Sequence, residues 1–256
     1  MFYSFWIHLI VLYNSYMPIP SITFMCPSRE RANLVQNSIE SVLRTTGEKY
    51  QNEYLIAIDI DDSQMEEYEQ IVRKYNCEKL KVELFVCPPW GYHQLNNYYN
   101  LLAEYSKAPR LWLWNDDAEM LTFNFNSEID KTPINHYVYT IDPHNPVLNQ
   151  NKTITCTMPL TPKKWVDIIG FYSDFHENDV FTAHLAEHTL LYSQANVQYR
   201  HAVIREELRN QNEATALNSM RSLKHVDYDM SKFKTWTKQI HEYYEKNPSQ
   251  VFFPVD

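Results

Sequence analysis

The chain has 256 residues, 44% apolar and 21% charged, with a formal net charge of −9. That length supports one full core, and that balance is ordinary for a globular domain. The negative excess excludes a surface built to grip bulk nucleic acid, and it admits a polyanionic ligand only where a metal or local Lys/Arg groups offset the charge.

In chain order, Phe2 to Tyr13 is nearly all apolar, and Met17 offers a second start. The run is short for a bilayer span and no Lys or Arg precedes it. The expectation for residues 1–19 is an overcalled start or a loosely attached extension on a cytoplasmic protein. A signal segment or membrane association through this run is the alternative.

Ser21–Cys26 reads as a first strand, and "PSRER" as a loop. Ala32, Val35, Ile39, Val42 and Leu43 recur at helical spacing, with Ser28 as cap and Gly47 just past the end. Tyr54–Asp59 reads as a second strand closed by acidic residues. Ser63 and Glu66 form a capping-box pattern before a helix carrying Met65, Tyr68, Ile71, Val72 and Tyr75. A third strand, Leu80–Val86, exits through "CPPWG" into a helix marked by Leu95, Tyr98, Leu102 and Tyr105. Arg110–Trp114 is the fourth strand, and it runs straight into Asn115, Asp116 and Asp117.

Four strands alternating with helices predict parallel strands joined by crossover helices. Ligands then bind beyond the carboxyl ends of the strands. Those ends carry Ser28–Arg29, Asp59–Asp62, Tyr92–His93 and Asn115–Asp117.

The second half differs. Residues 122–155 read as loops with short strands. "TPKKWVDIIG" predicts a short helix with Thr161 as cap, Pro162 in the first turn and Gly170 as terminator. Asn178 caps a longer helix through Tyr192, and Val197–Ile204 alternates as a strand. Met230, Phe233, Trp236, Ile240 and Tyr243 mark a closing helix. Cys26, Cys77, Cys87 and Cys156 include no CxxC pair and read as small core side chains in a reducing compartment. Gly47, Gly91 and Gly170 are the three glycines, so there is neither a Walker A loop nor a GxGxxG loop.

Adjacent carboxylates repel each other unless a cation joins them, and hard divalent cations prefer carboxylate oxygens together with substrate phosphates. Asp116 and Asp117 therefore read as a metal site, or else as solvated turn residues. "CPSRERANLVQNSIESVL", "IAIDIDDSQ", "WNDDA" and "KKWVDIIGFYSDFHENDVFTAHLAE" occur in this order. In that order and spacing they resemble the GT-A glycosyltransferases, specifically the large inverting family called family 2, over about residues 20–205.

The resemblance implies a nucleotide-diphospho-sugar transferase fold, a Rossmann-like, mostly parallel sheet flanked by helices. Residues 20–120 would form the nucleotide-binding half, 121–205 the acceptor half, and 206–256 a helical segment packed on the domain. Arg29, Asp59 and Asp61 would lie near the nucleobase and ribose, with the choice between the two aspartates open. Asp116 would lie near the ribose or the metal, and Asp117 would ligate Mn²⁺ or Mg²⁺ in a DxD-type motif. His201 stands where related enzymes sometimes add a metal ligand, and Asp179 matches the general base. The donor would be a UDP- or GDP-sugar, and the acceptor a glycan, lipid or other hydroxyl compound. Asn115 stands where a first aspartate is common, and Ser63 where a glycine usually follows the second-strand acids.

Two other readings stand beside this one. His184–His188 fits the H-x-x-E-H pattern of zinc peptidases, with Glu187 to activate water and Glu206 or Glu207 as a further ligand. A noncatalytic nucleotide-sugar-binding module is the other.

Overall fold

The computed structural model of the chain describes residues 19–143, 154, 157–201 and 230–250. The expectations for the N-terminal apolar run, Cys156, Val203–Ile204 and Glu206–Glu207 lie outside those residues.

The first half consists of β1 (Thr23–Pro27), α1 (Ala32–Thr45), β2 (Asn52–Asp59), α2 (Met65–Tyr75), β3 (Leu80–Cys87), α3 (Leu95–Tyr105) and β4 (Arg110–Leu113). The second half adds β5 (Ala118–Met120), α4 (Phe125–Ile129), β6 (Tyr137–Ile141), β7 (Leu160–Pro162), α5 (Lys163–Ile169), α6 (Asn178–Thr189), β8 (Tyr192–His201) and α7 (Met230–Lys246). The eight strands form one sheet in the order β3-β2-β1-β4-β7-β6-β8-β5. β1 pairs in parallel with β2 and β4, and β2 with β3, as the alternation predicts. β7 runs antiparallel to β4 and β6, and β5 antiparallel to β8, so the sheet is mixed and mostly parallel.

β4 has neighbours on both edges, and Leu111, Trp112, Leu113 and Trp114 are all buried. Phe24 on β1 stacks against Trp112 at 5.2 Å between centroids and meets Trp114 edge-on at 5.1 Å. A strand buried on both faces reads as a continuous apolar run, and that is why the alternation seen in β8 is absent here. A second cluster holds the other end of the molecule. Trp165 on α5, Phe181 and Leu185 on α6, and Phe233 and Ile240 on α7 bury one another there.

Several local expectations fail for identifiable reasons. Ser28 does not cap α1, because its hydroxyl bonds Asp116 and Tyr68 instead. The Ser63–Glu66 capping box does not form. Asp62 accepts the Gln64 amide at 2.8 Å, and the Gln64 side chain accepts the Ala32 amide at 2.9 Å. Thr161 and Pro162 belong to β7, so the helix starts at Lys163, although Gly170 does end it with φ +92. α6 stops at Thr189 because Leu190 turns left-handed and Tyr192 opens β8. Gly47 earns its place by a close approach: a Cβ there would run into the Asn124 side chain.

Candidate active site

The parallel register sets the carboxyl ends of β1, β2 and β4 on one rim, with Pro27 beside Ala57 and Met25 beside Leu113. β6 and β8 are parallel to each other and end there too, because β7 reverses the direction between β4 and β6.

At the end of β2, Asp59 is 3% exposed. One of its oxygens accepts from Arg29 Nη1 and the other from the Tyr98 hydroxyl. Arg29 also reaches both oxygens of Asp61, at 3.2 and 3.4 Å. These bonds, Asp59 foremost, raise the Arg29 pKa above its ordinary value. Arg29, Asp59 and Asp61 thus form one cluster. Both aspartates touch Arg29, but Asp59 is the buried one and Asp61 faces solvent.

At the end of β4, Asp116 is 7% exposed. It accepts from Ser28 Oγ at 2.8 Å and from Arg31 Nη1 at 3.2 Å. Burial pushes its carboxyl up to about 6 against the pull of Arg31, and the neighbouring charge of Asp117 adds to the rise. Asp117 is partly exposed, and its carboxylate makes no hydrogen bond or ion pair among the described residues.

His201 lies beside this turn, because the antiparallel pairing of β5 with β8 sets it opposite Ala118. Its Nδ1 is 3.1 Å from Asp142 Oδ2. A carboxylate accepts, so Nδ1 carries the proton and Nε2 keeps the lone pair. That lone pair meets the Asn115 amide at 3.2 Å. A carboxylate fixing one ring nitrogen so that the other is basic is how metal-binding histidines are commonly oriented.

The donor set fits a divalent cation of the Mg²⁺ or Mn²⁺ type, which takes one or two protein ligands and fills its shell with phosphate and water oxygens. Asp117 is the carboxylate available to it, and His201 could join only by exchanging the Asn115 amide at its Nε2 for the cation. Asp116 is the poorer candidate, since Ser28 and Arg31 already occupy its oxygens. Among the described residues no group of three or more His, Cys, Asp or Glu side chains is placed to hold a metal ion.

Asp179 sits in the first turn of α6. Burial raises its carboxyl to about 6, against the backbone N–H groups of Val180 and of Asp179 itself. Burial raises the pKa of the Tyr99 phenol on α3, whose hydroxyl donates to the Trp114 carbonyl at 3.4 Å. Asn100 holds the approach to α6. Its Oδ1 accepts the amides of Tyr172 at 2.7 Å and Ser173 at 3.0 Å, and its Nδ2 donates to the Ser173 carbonyl at 2.9 Å.

The structure therefore brings Arg29, Asp59 and Asp61 together in one cluster, while Asp116 bonds Ser28 and Arg31, Asp117 follows it in the same turn, and His201 meets that turn at Asn115. Asp179 stands apart from both, in the first turn of α6 beyond the segment that Asn100 holds. Sequence reasoning missed Arg31, Tyr98, Asn100 and Asp142. For Asp142 a signal existed, a carboxylate just past the apolar segment Tyr137–Ile141, but that region read as loop. The other three have no local signature, since their partners lie far off in sequence. His93, expected at the rim, is exposed.

The H-x-x-E-H histidines have a packing explanation. The His188 ring stacks on Phe233 of α7 at 5.8 Å, and His184 meets the same ring at 6.1 Å. Glu187 Oε2 pairs with His184 Nδ1 at 3.3 Å.

No protein-family model and no curated protein matches the sequence. Solved structures do match. The mannosyltransferase PcManGT from Pyrobaculum calidifontis, in complex with GDP-Man and Mn²⁺, aligns with a TM-score of 0.57 at 12% identity, over 91% of this chain and 72% of that one. S. aureus TarS 1-349 in complex with UDP aligns with a TM-score of 0.51 at 11% identity, over 88% and 72%. Its complex with UDP-GlcNAc gives 0.50 at 11% identity, over 88% and 73%. At such identities the likeness establishes the fold, and the fold is that of the GT-A nucleotide-diphospho-sugar transferases.

Proposed function

We propose that the chain is a glycosyltransferase that moves a sugar from a nucleotide-diphosphate donor to an acceptor hydroxyl with inversion, as in family 2. One observation carries this reading: the buried carboxylates Asp59 and Asp116 end separate parallel strands on a single rim. The donors GDP-Man and UDP-GlcNAc in the structural neighbours support a nucleotide-sugar as the ligand of that rim.

Asp59, oriented by Arg29 and Tyr98, takes the nucleoside, with Asp61 at the solvent edge. Asp117, joined by His201 once its Nε2 leaves the Asn115 amide, would hold Mn²⁺ or Mg²⁺, and the cation would offset the charge gained by the leaving diphosphate. Asp179 is the general base. The acceptor oxygen attacks the anomeric carbon and the bond to the diphosphate breaks. The nucleoside diphosphate leaves with the electron pair, and Asp179 takes the acceptor proton. Attack opposite the leaving group inverts the centre. A carboxyl titrating near 6 is ionised at neutral pH and is a stronger base than an ordinary aspartate.

Calorimetric titration with UDP and GDP, each with and without Mn²⁺, tests the donor. One of the two is expected to bind, more tightly with the metal, and Asp117→Ala is expected to remove the metal dependence. Binding of neither overturns the reading. Product mass from a donor screen tests transfer. Asp179→Asn is expected to keep donor affinity and abolish transfer, and transfer that survives it removes Asp179 as the base. Donor binding with no transfer by the unaltered protein to any acceptor class identifies a binding module instead.

A further inference from the structure

Among the described residues the rim contains several carboxylates and no backbone cradle for two phosphates. The usual source of such a cradle is a run of free backbone N–H groups where a loop enters a helix. Between β1 and α1 four of those groups are engaged. Ser28 N–H donates to the Ala57 carbonyl at 2.9 Å, Glu30 N–H to Asp62 at 2.8 Å, Arg31 N–H to the Tyr68 hydroxyl at 3.1 Å, and Ala32 N–H to the Gln64 side chain at 2.9 Å. The loop is docked onto the N-terminus of α2, with Glu30 in the left-handed region at φ +55.

The loop's cationic groups are Arg29 and Arg31. Arg29 is committed to Asp59 and Asp61 through three hydrogen bonds. Arg31 makes one, to Asp116 at 3.2 Å, and its side chain is 31% exposed. Four of its five N–H groups are thus left for something else, beside the Asp116–Asp117 turn.

We infer that Arg31 is the diphosphate-binding residue of the donor site, with Asp116 as the buried carboxylate that aims its guanidinium. This assignment rests on the donor reading above and gives Asp116 a positioning role in place of metal ligation. A guanidinium fork anchored at one corner presents its remaining N–H groups in a plane that matches phosphate oxygens.

Titrating Arg31→Ala and Arg31→Lys with UDP against uridine, and GDP against guanosine, tests it. The alanine variant is expected to lose roughly 10- to 100-fold in affinity for the diphosphate, the range for a charge-assisted hydrogen bond. Affinity for the nucleoside is expected to stay the same. The lysine variant, which keeps a cation beside Asp116 and so guards against misfolding, is expected to lose less. Equal losses for nucleoside and diphosphate in both variants, or no loss in either, overturn the assignment while leaving the donor reading intact. An unaltered protein that binds neither diphosphate overturns both.

Discussion

Asp116 and Asp179 share a raised pKa, and their settings separate their proposed roles. Asp116 is buried among Ser28 and Arg31, so its charge is compensated locally. Asp179 has helix-terminal N–H groups and no cationic partner among the causes that set its titration. A carboxyl raised from 3.8 to about 6 in the folded state binds its proton more tightly there than when unfolded. It therefore makes folding less favourable as pH rises through that window, and the whole cost is present above about pH 6. Asp179→Asn removes the charge that incurs the cost. Its thermal midpoint at pH 8 is expected to rise by a few degrees, about what 1 kcal/mol gives a chain of this size, with no gain at pH 4. A midpoint lowered at both pH values would mark Asp179 as a helix-start residue with no catalytic purpose. For the same reason, transfer is expected to increase as pH rises through about 6, where the base ionises.

Between elements, one contact joins the end of α1 to the start of α4. Asn124 adopts φ +53, donates its backbone N–H to Thr45 O at 2.7 Å, and lays its side chain over Gly47. Asn124 Oδ1 is buried without a hydrogen-bond partner among the described residues, so packing is what confines the side chain. Gly47→Ala is expected to cost about 1–3 kcal/mol by overpacking. Adding Asn124→Gly, which suits the left-handed backbone, is expected to restore most of that in a denaturant titration. Additive losses would refute the contact. The same logic explains the failed caps at α1 and α2. Capping patterns describe a helix end in isolation, whereas here Ser28 and Gln64 bond across to other elements.

At the scale of the molecule, the two halves meet at α3. Its buried face supports the strand-end rim through Tyr98 and Tyr99, and Asn100 clamps the segment leading to Asp179. Asn100→Ala is expected to leave UDP or GDP affinity within about twofold and to lower transfer by roughly tenfold or more, because a small misplacement of the base is expensive in rate. Equal damage to donor binding and transfer would show that Asn100 supports the fold as a whole.

The order of strands and helices, the buried β4 and the acidic strand ends were legible in the sequence, because periodicity and apolar runs are local properties. Asp59 and Asp116 could be picked out for the same reason: each ends a hydrophobic strand in charge. What the sequence by itself determined was therefore a parallel first half with carboxylates along one rim. Only the tertiary structure decided what each carboxylate faces. Arg31 meets Asp116 across 85 positions, Tyr98 meets Asp59 across 39, and His201 meets Asp142 across 59. Those pairings depend on strand order, on the reversal at β7 and on the register that sets His201 against Ala118. A reading of neighbours along the chain has no access to them, since the packing energy that selects them belongs to the whole core.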